Sequence, residues 1–137
     1  MRVVFHIPIK GIHFNLAGSA FGGALASVMD IATGHAIATV SRPGFWPAPH
    51  GISRVINISF LKPVTRTGEV RIEAKVMQFG KSAAMVRGEL TSLDGKEIYC
   101  TVEHHKLSFP PPGEVRLPWD DELDQIIADK SRMLVKL

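Results

Sequence analysis

The stretch GGALASVMDIATGHAIATV, residues 22–40, is the most apolar part of the chain. Its apolar side chains fall around most of the circumference of a helix, and many of its residues are Gly or Ala. A helix that is apolar on nearly every side is buried on nearly every side. The pattern therefore predicts one long central helix, with small side chains that allow a sheet to approach closely. A membrane span would be longer and would lack Asp30 and His35.

Strand-like segments lie on both sides of this helix. Residues 2–9 precede it, and four runs rich in β-branched residues follow it, at residues 52–61, 69–79, 82–91 and 97–107. Turn signals separate the later runs, at residues 66–68, 80–81 and 93–95. Consecutive strands joined by short turns are antiparallel. We therefore expect an α+β fold, in which a curled antiparallel sheet of five or six strands wraps around one helix.

Composition limits the classes of protein to which the chain can belong. With 137 residues, 45% of them hydrophobic, it is long enough for one domain with its own core. Its single cysteine, Cys100, excludes an internal disulfide and fits a reducing compartment. The net charge of +3 is scattered, so no nucleic-acid partner is predicted. Residues 1–10 lack the pattern of a signal peptide. We expect a cytoplasmic protein without a membrane partner, with peroxisomal and mitochondrial locations as alternatives.

The chain is predicted to consist of two units. Residues 1–108 contain the predicted strands and the central helix, and residues 109–137 form a C-terminal extension. The extension begins with the proline-rich run FPPPGEVRLP and is predicted to be extended at first. Asp120 or Asp121 could then cap a short helix, with Trp119 as its anchor.

Asp30 and the Gly22-Gly23 pair are the candidate functional groups of the helix. Asp30 lies in the middle of the helix among apolar neighbours, where an isolated carboxylate is costly to bury. Gly22 and Gly23 open the helix, where backbone N–H groups without helical partners can stabilise negative charge on a ligand. The residue types therefore predict an acid–base group and an anion-stabilising group on one helix.

Several short motifs follow one another in the first 107 residues. They are Asn15, Gly18, the Phe21-Gly22-Gly23 run, Asp30, Ser53, the strand end Phe60-Leu61-Lys62-Pro63 and the Gly80-Lys81 turn. In this combination the chain resembles the hotdog acyl-CoA thioesterases of the PaaI-like and thioesterase superfamily member 2 type. Phe21 stands where that family has a histidine.

The resemblance implies a hotdog fold and the hydrolysis of an acyl-CoA or carrier-bound acyl thioester to free acid and thiol. Asp30 matches the general base or nucleophile, and Gly22 matches the residue whose N–H polarises the thioester carbonyl. Asn15 would assist Gly22, and Ser53 would help to hold the attacking water. The resemblance implies no metal and no cofactor apart from coenzyme A as part of the substrate.

Further residues are candidates for substrate binding. Gly23, Phe21 and His13 accompany the predicted site, and Lys81 in the hairpin turn is a candidate contact for coenzyme A. The other histidines show no metal-ligand spacing. We expect three consecutive side chains to be exposed on a surface strand, namely those of His104, His105 and Lys106. The alternative is that they contact a cofactor phosphate.

The spacing of the two helical groups predicts a homodimer or a dimer of dimers. Gly22 and Asp30 are eight residues apart, which is about 12 Å along a helix axis. A single thioester carbonyl group is too small to contact both Gly22 and Asp30 of the same helix. If both groups act, they come from different copies related by a two-fold axis.

Two other functions stay open from the sequence. A hotdog dehydratase or isomerase would also act on acyl thioesters, and His13 precedes Gly22 by a spacing that resembles the dehydratases. The pair of Asp30 and His35 is discounted, because residues five apart on a helix point away from each other. A non-catalytic acyl-thioester-binding module is the second alternative, suggested by Phe21.

Overall fold

The computed structural model describes residues 1–42, 44–46, 51–109 and 125. Among them are the strands β1 (Arg2–Ile9), β2 (Ile52–Phe60), β3 (Gly68–Phe79), β4 (Ala83–Ser92) and β5 (Ile98–Leu107), the helix α1 (Gly22–Ala38) and a short 3-10 turn at Gly11–His13. One helix and five antiparallel strands form the predicted hotdog fold, which is confirmed. Apart from Phe109 and Gln125, the predicted C-terminal extension, with its short helix and Trp119, lies outside the described residues.

The strand order in the sheet is β1-β3-β4-β5-β2, with every pair antiparallel. The turn signal at residues 66–68 indicated that β2 and β3 are neighbours, and this is wrong, because β2 pairs with β5 and β3 with β1. The connecting segment packs into the fold instead of closing a hairpin. It buries Val64, whose carbonyl accepts a hydrogen bond of 2.8 Å from the Ala20 N–H.

Helix α1 lies on one face of the sheet. Seven of its residues are buried, namely Leu25, Met29, Ala32, Thr33, Gly34, Ala36 and Ile37. A stripe at four-residue spacing stays exposed in the single chain, formed by Gly23, Ser27, Ile31 and His35. The single chain therefore covers less of the helix than its apolar pattern predicted. Among the described residues, no helix has both the length and the apolar character needed to cross a membrane.

An aromatic cluster anchors the loop after α1. Trp46 is buried and has a positive φ of 58°. Its indole N–H donates a hydrogen bond of 2.8 Å to the Gly80 carbonyl. Its ring lies 5.1 Å from that of Phe79 at the end of β3. This contact ties the described part of the loop to the turn between β3 and β4.

Gly88 on β4 allows α1 to approach the sheet. A Cβ at this position would lie 2.9 Å from Val102 Cγ1, 3.2 Å from Met29 Cε and 3.3 Å from Thr33 Cγ2. We predict that G88A lowers the free energy of unfolding by about 1–3 kcal/mol, because the added methyl group overpacks this interface. Urea unfolding measures the change. The control is E89A at the exposed neighbouring position, which should change stability by about 0.5 kcal/mol or less. Equal stability of G88A and E89A would contradict the prediction.

Candidate active site

The Asp30 carboxylate is directed from α1 towards strands β2 and β5. Its side chain is 48% exposed in the single chain. Its Oδ1 accepts a hydrogen bond of 2.9 Å from the Ser53 hydroxyl. Oδ1 also lies 3.7 Å from Lys106 Nζ and 3.4 Å from His104 Nε2. Oδ2 accepts no hydrogen bond from the described residues, so this oxygen can accept one from a ligand.

Lys106 brings a buried positive charge to the carboxylate. Its side chain is 4% exposed, and its ammonium donates a hydrogen bond of 3.1 Å to Ser53 Oγ. Burial lowers the pKa of Lys106, while the negative charge of Asp30 acts in the opposite direction. The two charges and the serine hydroxyl between them thus form one connected group.

His104 lies behind this group and is fully buried. Its Nδ1 is 2.7 Å from Thr33 Oγ1, which also approaches the Met29 carbonyl at 2.7 Å. Its Nε2 has no hydrogen-bond partner among the described residues, since the 3.4 Å approach to Asp30 lacks hydrogen-bond geometry. Burial lowers the pKa of His104 to about 4, the charge of Lys106 adds to this effect, and Asp30 opposes it. The imidazole is therefore neutral near pH 7.

The expectation that residues 104–106 decorate a surface strand is wrong for His104 and Lys106. Strand β5 alternates, with Cys100, Val102, His104 and Lys106 buried on one face. His105 lies on the other face, where Nε2 is 3.1 Å from Glu103 Oε1. The sequence contained a signal for this burial, because apolar residues alternate with polar ones from Cys100 and Val102 onwards. Following it through the polar residues would have placed His104 and Lys106 towards the helix.

Asn15 and Gly22 form a second group at the start of α1. Asn15 Oδ1 accepts hydrogen bonds from the N–H groups of Ala17 at 2.9 Å and Ser19 at 3.2 Å, which close the loop before the helix. No side chain caps the helix, so the N–H groups of its first turn have no partner among the described side chains. Asn15 and Gly22 line one cavity of about 370 Å³ together with Phe60.

The structure separates the four predicted catalytic residues into two groups. Asp30 and Ser53 line another cavity of about 340 Å³, together with Lys106 and His35. This cavity shares no lining residue with the cavity of Asn15 and Gly22. Within one chain, the carboxylate and the free helical N–H groups therefore face different spaces.

The predicted substrate-binding residues have different surroundings. Phe21 is exposed, and its ring lies across Gly23, where a Cβ would come within 2.5 Å of it. His13 Nδ1 accepts a hydrogen bond of 2.9 Å from the Lys10 N–H, which stabilises the 3-10 turn. Lys81 is exposed in the turn between β3 and β4 and lines neither of the two cavities. Among the described residues, no group of three His, Cys, Asp or Glu side chains could hold a metal ion.

Comparisons with known proteins show the family of the chain. The family model described as the thioesterase superfamily matches residues 17–99, more than half of the chain. A protein of Saccharolobus solfataricus named "Putative esterase SSO2140" is 33% identical over 95 residues, which are 69% of this chain. The matched region spans 64% of that relative's length, which is less than two thirds.

Solved structures show the same fold. Zebrafish thioesterase superfamily member 2 has a TM-score of 0.69 and 23% identity, and the match covers 79% of this chain and 75% of that one. A hypothetical thioesterase of Streptococcus pneumoniae, solved with coenzyme A, has a TM-score of 0.70 and 18% identity, with coverage of 79% and 78%. Escherichia coli PaaI has a TM-score of 0.66 and 19% identity, with coverage of 80% and 73%.

The buried imidazole makes stability depend on pH. Because the pKa of His104 falls from 6.5 to about 4 on folding, the unfolded chain binds the proton first as the pH decreases. The contribution of His104 is therefore full above pH 6.5, and it is lost between pH 6.5 and 4. We predict a loss of about 3 kcal/mol in this range that is absent from H104Q. Urea unfolding at a series of pH values measures it, with H105Q as the control that keeps the decline. Parallel curves for wild type and H104Q would contradict the prediction.

Proposed function

Because the chain belongs to the thioesterase superfamily, we propose that it hydrolyses an acyl-CoA thioester, with Asp30 as its general base or nucleophile. The observation that supports this most directly is the asymmetric environment of the carboxylate. Oδ1 is held by Ser53 beside Lys106, and Oδ2 accepts no hydrogen bond from the described residues. A carboxylate held by one oxygen, with the other directed to a cavity, is suited to receive a proton or to attack a carbonyl.

In the proposed reaction, Asp30 removes a proton from a water molecule as the water oxygen attacks the thioester carbonyl carbon. The carbonyl oxygen gains negative charge, which the N–H groups at the start of α1 stabilise, assisted by Asn15. The C–S bond then breaks, and the thiolate of coenzyme A leaves and takes up a proton. If Asp30 instead attacks the carbonyl carbon directly, the C–S bond breaks and the thiolate leaves as a mixed anhydride forms. Water then hydrolyses the anhydride, which releases the free acid and regenerates the Asp30 carboxylate.

Ser53 has a different part in this proposal from the one that the sequence suggested. Its single hydroxyl proton is donated to Asp30 Oδ1, and its oxygen accepts from Lys106. A hydroxyl has only one proton to donate. Ser53 therefore cannot donate to the attacking water; in this proposal it holds the carboxylate in place, and Asp30 Oδ2 orients the water.

We infer that two copies complete each site. Strand β2 is at an edge of the sheet, and most of its side chains are exposed, including Ile52, Val55, Ile56 and Phe60. An edge strand presents unpaired backbone N–H and C=O groups that can pair with a strand of another chain. The same strand carries Ser53, so a partner paired there would lie next to Asp30. Its helix start could then supply the N–H groups that the Asp30 cavity lacks.

Coenzyme A is the carrier that we propose for the acyl group. The Streptococcus pneumoniae neighbour was solved with coenzyme A. Next to the Gly22 cavity, and sharing Lys62, Pro63 and Val64 with it, lies a larger cavity of about 540 Å³ that is also lined by Arg66. The larger cavity is lined by Lys62 and Arg66 and also by Glu69 and Glu97, so the two cations are the groups proposed to meet the phosphates of coenzyme A.

The D30N variant tests the role of the carboxylate. We expect it to lower kcat for acyl-CoA hydrolysis by about 10²–10⁴-fold, because an amide cannot act as a base or nucleophile. Release of thiol, measured with a chromogenic disulfide, follows the reaction. The matched control is E89Q, which neutralises an exposed carboxylate on β4 and should keep wild-type activity.

Three outcomes would contradict this proposal. A wild-type chain that releases no thiol from acyl-CoAs of varied length and polarity is not a thioesterase of this type. A change in enoyl absorbance without thiol release would indicate a dehydratase or isomerase. Unchanged thiol release in folded D30N would remove Asp30 from the mechanism.

Co-expression of two inactive variants tests whether each site uses two chains. D30N removes the base, and N15D removes the amide donor while keeping the oxygen that closes the loop. In a mixed dimer, one of the two sites would combine the intact Asp30 of one chain with the intact Asn15 of the other. With random pairing, about a quarter of wild-type activity should return. Sedimentation confirms the dimer, and a mixture no more active than its components would overturn the two-chain site.

A further inference from the structure

Lys106 is an unusual residue for the helix-facing side of a sheet. An ammonium group is costly to bury unless it is paired and hydrogen-bonded. Its side chain is 4% exposed, and the neighbours that offset its burial are Ser53 and Asp30. The motifs that indicated an acyl-thioester site included Asp30 and Ser53 but not Lys106. Lys106 nevertheless contacts both Ser53 and Asp30.

We propose that Lys106 is a positioning residue for the hydrolysis, which acts through Ser53 to hold the Asp30 carboxylate with Oδ2 facing the substrate. The inference rests on the proposed function, since it assigns Lys106 a part in the same reaction. Lys106 acts on the carboxylate and not on the substrate: its ammonium bonds to Ser53 Oγ at 3.1 Å and lies 3.7 Å from Asp30 Oδ1.

The direction of the hydrogen bonds supports this role. A lysine ammonium can only donate, so Ser53 Oγ must accept the 3.1 Å bond from Lys106. The one hydroxyl proton of Ser53 is then directed to Asp30 Oδ1, at 2.9 Å. Without the ammonium, the hydroxyl could rotate and donate its proton to a water molecule instead of to Asp30. Lys106 therefore selects the rotamer of Ser53 that holds the carboxylate.

The backbone register brings the same residues together. Ser53 on β2 and Lys106 on β5 are directly opposite each other in the sheet, and the register shifts between Ser53 and Val55. Such bulges commonly redirect side chains next to active sites. The pairing of β2 with β5 thus fixes Lys106 beside Ser53, while α1 supplies Asp30 from above the sheet.

The charges around Lys106 explain why its loss should affect the reaction. From α1 it faces the Asp30 carboxylate, and His35 lines the same cavity. From β5, the neighbouring His104 is neutral near pH 7, because burial lowers its pKa to about 4. Within the described residues, Lys106 is therefore the positive charge that lies within 4 Å of the carboxylate near pH 7.

The test compares K106M, K106R and a matched control, K75M, which makes the same change at an exposed position on β3. We expect K106M to lower kcat for acyl-CoA hydrolysis by about 10²-fold, with a smaller change in KM, as for a misplaced reacting group. K75M should behave as wild type. Circular dichroism and sedimentation confirm that each variant keeps its fold and assembly.

The pH profile separates positioning from a merely structural role. Burial lowers the pKa of Lys106 from 10.5, so wild-type kcat should fall on the alkaline side as the ammonium loses its proton. K106M should lack this alkaline limb. K106R should retain measurable activity and move the limb to higher pH, since a guanidinium stays protonated. Rates are corrected for spontaneous thioester hydrolysis at each pH.

The outcomes distinguish this inference from the proposed function. If wild type releases no thiol, the proposed function itself fails. If wild type is active and K106M matches K75M in kcat and in its alkaline limb, the role of Lys106 is overturned and the thioesterase proposal stands. If K106M does not fold, K106R decides, and an alkaline limb unchanged from wild type would overturn the role.

Discussion

The Asp30 carboxylate and the Lys106 ammonium face each other where α1 meets the sheet, and the Ser53 hydroxyl is bonded to both. The buried Lys106 ammonium would be costly without a partner, because burial removes its hydration. Asp30, whose side chain is 48% exposed, supplies the opposite charge. Together they are tolerated, and they require α1, β2 and β5 to meet at one point. The strand order that places β2 beside β5 is therefore as important for the site as the residues themselves.

The rigidity of α1 sets the second constraint. One straight helix carries the free N–H groups at its start and the carboxylate two turns later, and these face separate cavities in the single chain. Geometry within one chain cannot bring them together on a single carbonyl. The proposed mechanism consequently depends on assembly, and the exposed edge strand β2 offers the surface on which a second copy would pair.

Phe21 marks the difference from the family that the chain resembles. Its ring lies over Gly23 at the start of α1, where the resemblance leads one to expect a histidine. The ring has no hydrogen-bond donor, so in the proposed reaction backbone N–H groups and Asn15 would stabilise the developing negative charge. Phe21 thus places an exposed aromatic ring beside the first N–H groups of the helix.

The sequence alone was sufficient to predict the local elements and to propose Gly22 and Asp30 as site residues. The apolar helix, the alternating strands and the motif around Gly22 and Asp30 depend on neighbours along the chain, so they could be predicted, and the helix and strands were confirmed. The pairing of β2 with β5 could not, because the turn signal at residues 66–68 does not show that Val64 is buried. Lys106 and His104 were misplaced for a related reason. Polar residues on an alternating strand usually face water, and only the tertiary structure, by placing Asp30 and Thr33 opposite them, provides partners that make their burial possible.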